Sequence, residues 1–399
     1  MNAQIVIRRD REKPVHNQHP WIFSGAIDQI RGTPQPGEIV DVVSTQGRFL
    51  ARGYWNATSQ IQVRILTWTD EPITLDWWRS RLQRAIALRG PQDMTGAQRM
   101  VNAENDFLPG LIVDRYADVL VLQALTLGID QHKLSLAALL AELMPGIRSV
   151  YERSDVDVRA KEGLEQASGP LHGNPPPEAI EIVEGRARFS VDVRRGHKTG
   201  MYLDQAVNRR RLHRWMHMLP QGARMLNLFS YTGGFGLHAL DHAGEITFVD
   251  SSHEALVLAE RNVASTAGSH DAAAPHAFVL GNAFQVLRDL ALSHEQFDCV
   301  VCDPPKFAHN AGQVEKAARG YKDLNLNSFR IIRPGGLLFT FSCSGAISAD
   351  LFQKIVFGAL ADSGRQGQIV EWMNAAPDHP VALTFPEGAY LKGLIVRVL

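Results

Sequence analysis

The sequence predicts an α/β protein whose second half is a doubly wound domain and whose first half opens with a small β-rich barrel. Three observations predict it. From about residue 195 onward, short apolar runs alternate with amphipathic segments, the rhythm of a parallel sheet covered by helices on both faces. The first seventy residues instead carry β-rich runs divided by turn residues. Between these halves lies a stretch with both patterns, an α+β region.

The elements follow in order. IVDVVS, RFLARGYW and QIQVRILTW are the barrel strands, separated by Pro36-Gly37 and Asn56. After Asp70-Glu71-Pro72 the period changes, and Asp76 to Leu88 is expected to be a helix with Trp77, Trp78, Leu82 and Ile86 on one face. LIVDRYADVLVLQAL reads as a hairpin, LSLAALLAEL as a helix, and SVYERSD and EIVEGRARFSVDV as strands. Gly173-Asn-Pro-Pro-Pro177 marks a loop among them. In the second half RMLNLFS, EITFVD, FDCVVCD and GGLLFTFS are the expected sheet strands. LHALDH, HEALVLAERNVAST, FQVLRDLAL and DLFQKIVFGALADS are the helices between or after them. No internal repeat at solenoid period is present.

Bulk properties narrow the function. A chain of 399 residues suggests two or three domains, and 45% hydrophobic with 21% charged residues is a globular composition. Its 41 basic and 42 acidic residues give a net charge of -1, which argues against a strongly basic nucleic-acid coat but not against a local basic groove. Three cysteines make no disulfide framework and fit a reducing compartment. The opening MNAQIVIRRDREK lacks the apolar core and cleavage site of a signal peptide, and no apolar run approaches membrane-spanning length. A soluble, cytoplasmic protein with no membrane partner is expected.

Chemistry concentrates at the predicted strand ends. Phe229-Ser-Tyr-Thr-Gly-Gly-Phe-Gly236 follows the first strand of the α/β domain, where glycines let backbone amides approach a ligand. The spelling is not G-x-G-x-x-G, so a plain tight turn is an equal reading. Asp250 then ends the second strand, 17 residues after Gly233, near the spacing at which an acidic residue meets a ribose diol. Together they favour a nucleoside cofactor. The third strand ends at Gly281-Asn282, whose amide either bonds an adenine edge or closes a turn. Asp303-Pro-Pro-Lys-Phe307 ends the fourth strand, its prolines holding a rigid extended turn. FTFSCSG ends the fifth, with Cys343 opening a turn after an apolar run rather than sitting inside it. Cys343 is read as a nucleophile with Asp303 beside it, ahead of a thiol that merely caps a core strand.

Other constellations fall away. Cys299-Val-Val-Cys302 lies in a strand with no second pair, and core packing is the better reading. His213 and His217 have helical spacing but no evident third ligand, and are read as a solvated helix face. No metal is expected. The cluster Arg194, Arg195 and Lys198 and the run Arg209–Arg211 are read as phosphate contacts ahead of plain solvated surface, with Lys316, Arg319 and Lys322 extending them.

With these motifs in place, the sequence resembles the bacterial 23S ribosomal RNA (cytosine-5) methyltransferases. LNLFSYTGGFG, CDPPKFA, ARGYKDLN, TFSCSG and DHPVALTFPEGAYLKG carry the resemblance, with GHKTGMYLDQAVNRR, LPGLIVDRYAD and HPWIFSGAI extending it to nearly the whole chain. It implies an N-terminal PUA-like barrel (1–73), a central EEHEE domain (74–190) and a Rossmann-like methyltransferase domain (191–399) that uses S-adenosylmethionine. It also implies that Tyr202, Asp204 and Gln205 flank the cofactor pocket. Phe229, Ser230, Tyr231, Thr232 and Gly233, with Asp250, Ser251, Asn282 and Asp303, would hold the cofactor. Arg194, Arg195, Lys198, Lys306, Arg319 and Lys322 would contact RNA. Two departures stand out: Ala206 where the family often has arginine, and Gly281-Asn282 where an acidic pair is usual.

The reaction so implied is methylation of carbon-5 of a cytosine in 23S ribosomal RNA, on deproteinated RNA or an early assembly state. Cys343 would add at carbon-6 and Asp303 would act at nitrogen-3. The base must leave its stack to reach such a pocket. Two alternatives are a purine N-methyltransferase using D-P-P without covalent catalysis, and a non-catalytic RNA-binding assembly factor. Lys306 follows D-P-P where amino-methylating enzymes typically carry an aromatic, which weighs against the first. Monomer and homodimer both stay open.

Overall fold

The computed structural model describes residues 2–91, 93–267 and 275–399. They form two units. The first comprises Met1–Ile182, Val191–Leu203 and Pro377–Gly388; the second comprises Val183–Ser190, Asp204–Ala376 and Ala389–Leu399.

In the first unit, strands Ile39–Val43, Phe49–Trp55 and Ile61–Thr67 fall on the three β-rich runs and pair antiparallel in succession. Gln4–Ile7 runs parallel to the first of them, within a six-stranded sheet. Ile5 and Ile7, and Val40 and Val42, enter the core on alternate residues, as strand geometry dictates. Helix Leu75–Ala87 begins at Thr74, whose hydroxyl accepts from the Trp77 amide at 3.2 Å. It buries Trp77, Trp78, Leu82 and Ala85. Ala85 therefore takes the inward place expected for Ile86, which is only partly buried. The central sheet contains the run strand, strand, helix, strand, strand: Leu111–Tyr116, Val119–Ala124, Leu127–Leu143, Ser149–Ser154 and Ala167–Gly173. A further strand, Ala97–Asn102, pairs with its edge.

The second unit is Rossmann-like. Its strands are β1 (Ala223–Leu228), β2 (Ala243–Asp250), β3 (His276–Leu280), β4 (Phe297–Cys302), β5 (Ile332–Ser342), β6 (Gly367–Asn374) and β7 (Lys392–Val398). Its helices are α1 (Ala206–Met216), α2 (Gly234–Leu237), α3 (His253–Ala267), α4 (Ala283–Leu292), α5 (Val314–Ile331) and α6 (Ala349–Asp362). The sheet order is β3-β2-β1-β4-β5-β7-β6. The first five are parallel, and β7 is antiparallel to both neighbours. Met225, Leu226, Val300, Val301, Leu337 and Leu338 are fully buried, which is why these strands read as continuous apolar runs. The strand order reverses between β1 and β4, where open sheets of this kind hold their ligands.

One helix differs from expectation. The segment LHALDH is not helical beyond Leu237; α2 occupies Gly234–Leu237 and residues 238–242 form turns. The chain must reverse there to start β2 at Ala243, and the Ala243 amide bonds the Ala239 carbonyl at 2.8 Å. Among the described residues no helix is long and apolar enough to cross a membrane.

Candidate active site

The β1–α2 loop is held in an uncommon backbone shape. Phe229, Tyr231 and Gly233 have φ of 54°, 48° and 87°, so two side-chain-bearing residues sit in the left-handed region. Asp250 stabilises that shape: one carboxylate oxygen accepts from the Tyr231 amide at 2.8 Å and the other from the Ser252 amide at 2.9 Å. Thr232 is tied through its carbonyl to Asn262 at 3.0 Å. A side chain at Gly233 would meet Ala259 and Phe248 at 3.3 Å. Ser251 is exposed beside this corner.

These groups fit a nucleoside cofactor. Each Asp250 oxygen keeps acceptor capacity beyond its one backbone bond, enough for a ribose diol. Ser230 Oγ is buried and has no hydrogen-bond partner, an unused polar group in the same loop. Asn282 has a prior role: its side-chain oxygen caps α4, accepting from the Phe284 amide at 2.9 Å. Contact with an adenine would use its remaining lone pair or its amide nitrogen.

Beyond β4 and β5 a second set of groups converges. Gln205 donates to Asp303 at 2.9 Å, and Asn208 donates to Gln205 at 2.6 Å and to the Asn374 carbonyl at 3.0 Å. Gln205 therefore orients the Asp303 carboxylate. Asp204 is buried and accepts from the Tyr390 hydroxyl at 2.5 Å. Register pairs Cys302 with Thr340, so the turns carrying Asp303 and Cys343 leave adjacent strands on the same edge. Cys343 is partly exposed, and its Sγ lies 3.9 Å from the Pro304 carbonyl. Ser344 Oγ accepts from the Phe307 and Ala308 amides at 3.1 Å each and bonds the Tyr321 hydroxyl at 2.9 Å. The D-P-P-K-F-A loop is thus fastened to the cysteine's turn by one buried hydroxyl.

Lys392 completes the arrangement. Its ammonium donates to the Ser344 and Ile347 carbonyls at 2.6 and 2.5 Å. Burial brings its pKa down to about 8, against the opposing pull of Cys343. By contrast, burial pushes the Cys299 and Cys302 thiols up, and both are fully enclosed in β4.

Ser344, Tyr321, Lys392 and Asn208 were not singled out from sequence, although each stands inside one of the quoted motifs. Their partners lie from three to 166 residues away, which no local pattern links.

The remaining candidates lie elsewhere. Tyr202 is in the first unit, with the Lys198 ammonium 4.6 Å from its ring centre and its hydroxyl 3.2 Å from His197. Arg194 and Arg195 share that unit, their amides on Asp192. Lys306 is exposed; Arg319 pairs with Glu315 at 3.6 Å and Lys322 with Asp362 at 2.7 Å.

Residues 5–68 match the family described as PUA-like domain, and residues 156–397 match that of the S-adenosylmethionine-dependent methyltransferases. Fold and site therefore define a methyltransferase that uses S-adenosylmethionine and carries a PUA-like domain. The chain is 46% identical over 405 residues to the ribosomal RNA large subunit methyltransferase I of Tolumonas auensis, and 41% identical over 406 residues to that of Escherichia coli O127:H6. Each alignment covers 100% of both chains. The chain belongs to the ribosomal RNA large subunit methyltransferase I family. Among solved structures, SMU.776 complexed with SAH shares the fold, with a TM-score of 0.83 at 20% identity over 98% of this chain and 99% of that one.

Proposed function

We propose that the protein methylates carbon-5 of a cytosine in 23S ribosomal RNA through a covalent adduct with Cys343. The observation that carries this reading is the fastening of the Asp303 loop to the Cys343 turn through Ser344. It keeps a partly exposed thiol and an oriented carboxylate at one sheet edge. A purine amino-methyltransferase needs no such thiol.

S-adenosylmethionine supplies an electrophilic methyl group on a sulfonium. Carbon-5 of cytosine is too weak a nucleophile to take it directly. The Cys343 thiolate adds to carbon-6 while Asp303 bonds or protonates nitrogen-3, so electron density moves to carbon-5. Once carbon-5 carries the methyl group it loses its proton to a base. The carbon–sulfur bond breaks, the thiolate leaves, and nitrogen-3 returns its proton. Gln205 holds Asp303 in orientation throughout. Phe229 to Gly233, Asp250, Ser251 and Asn282 are the cofactor's contacts in this reading, with Tyr202 and Asp204 flanking. Arg194, Arg195, Lys198, Lys306, Arg319 and Lys322 contact RNA phosphates. The domains divide at residues 73 and 190, and the enzyme acts in the cytoplasm on RNA not yet covered by protein.

The test is incubation with S-adenosylmethionine and deproteinated large-subunit RNA lacking the modification, followed by digestion and mass spectrometry of nucleosides. New 5-methylcytidine is expected, absent with Cys343→Ala although cofactor binding persists. A methylated purine, or full turnover by Cys343→Ala, would sink the covalent reading.

A further inference from the structure

The fold supplies what the sequence did not show for the histidine pair. His213 and His217 stand one turn apart along α1 and at its C-cap, beside the stripe of buried residues Asn208, Arg209, Leu212 and Met216. The turn before β2 brings Asp241 to them. His213 Nε2 and His217 Nε2 are 3.2 Å apart, and Asp241 Oδ2 lies 3.1 Å from the first and 3.5 Å from the second.

We propose that His213, His217 and Asp241 bind a divalent transition metal of the zinc class. A tetrahedral ion with bonds of about 2.0–2.2 Å needs ligand-to-ligand edges of about 3.3–3.6 Å, and the three edges here fall at or just below that size. Two imidazole nitrogens and one carboxylate oxygen converge within 3.5 Å of one another, three electron-pair donors that a dication can draw to one centre. Imidazole with carboxylate selects zinc-like ions over magnesium or calcium. Arg186 also donates to Asp241 Oδ2, at 2.6 Å, and competes for it. The His242 ring packs on His217 with centres 4.7 Å apart and limits the rotation of that ring. A cavity of about 240 Å³ lined by His213, Asp241 and Arg186 leaves room for a fourth ligand.

Asp241 precedes β2 and Asp250 ends it, so the metal lies at the opposite edge of the sheet from the cofactor residues. Eight extended residues separate the edges by roughly 25 Å. Its role is to clamp the end of α1 to the turn, not to take part in the methyl transfer.

The test uses tag-free, metal-stripped full-length chain titrated with Zn²⁺ alone by calorimetry, with melting followed in parallel. One ion per chain and a raised melting temperature are expected. Affinity should fall at least about tenfold in His213→Ala and Asp241→Asn and stay unchanged in Cys343→Ser. His217→Ala guards against misfolding, since that side chain is about half exposed at the helix end. Arg186→Gln should tighten binding. Absent stoichiometric binding, equal affinity in wild type and His217→Ala, or loss only in Cys343→Ser would each overturn the proposal.

Discussion

At the scale of single residues, a partly buried cation stands beside the turn that carries Cys343. Lys392 stands 49 positions after Cys343, yet its ammonium is anchored on the carbonyls of the turn that Cys343 opens. Burial lowers its pKa to about 8, so the cation is present below that pH and lost above it. A nearby cation favours a thiolate. Lys392→Gln keeps a donor for the carbonyls and removes the charge, and should slow alkylation of Cys343 by about tenfold near pH 7. The difference between wild type and variant should shrink above pH 8. Equal alkylation rates at pH 7 would remove Lys392 from any role at the thiol. The strand-end positions of Cys343, Asp303 and Asp250 were legible because each follows a continuous apolar run. Ser344 reaches Tyr321, Ala308 and Phe307 across 23 to 37 residues and Gln205 reaches Asp303 across 98, which spacing along the chain cannot encode.

At the scale of elements, two packing features flank the short helix α2. Gly236 in α2 leaves space for Phe248 of β2; a Cβ there would lie 2.2 Å from the ring, which stacks on Phe278 with centres 5.0 Å apart. Neither ring can yield without disturbing the other. Gly236→Ala should cost about 1–3 kcal/mol, seen as a lowered midpoint in denaturant unfolding. The second feature is Glu184, which accepts from Arg209 at 2.7 and 2.6 Å and from His238 at 2.9 Å. Burial alone would raise its pKa, but Arg209 and His238 bring it to about 2. The folded carboxyl titrates below the unfolded one, so Glu184 adds stability above about pH 4.5 and loses that contribution as pH falls toward 2. Glu184→Gln should therefore flatten the acid side of the stability–pH curve and lower neutral stability by about 1–3 kcal/mol, since a charged acceptor beside the buried Arg209 becomes a neutral one. An unchanged acid limb would show that other carboxylates control it. The parallel strands were readable as apolar runs bounded by turns. The extent of α2 was not, because the need to reverse into β2 overrides the local helical pattern.

At the scale of the whole molecule, near-neutral charge hides how little of the basic complement is available to RNA. Several arginines are spent on internal carboxylates: Arg64 on Glu104 and Glu162, Arg99 on Asp114, Arg209 on Glu184. The proposed RNA contacts are different in kind. Arg319 and Glu315 are both mostly exposed, and so weak a pair is easily exchanged for a phosphate. Lys306 is exposed at the rim of the Asp303 loop. If Arg194, Arg195, Lys198, Lys306, Arg319 and Lys322 each neutralise one phosphate of a single strand, log affinity should fall with log salt at a slope of about -4. Lys306→Ala should reduce the size of that slope by about 0.7 and weaken binding alike for different sequences, because a phosphate contact carries no base information. Filter binding of deproteinated RNA across a salt series would read both quantities. A slope that Lys306→Ala leaves unchanged would take the lysine out of the RNA path, whereas a sequence-dependent loss would move it from the phosphates to the base being methylated.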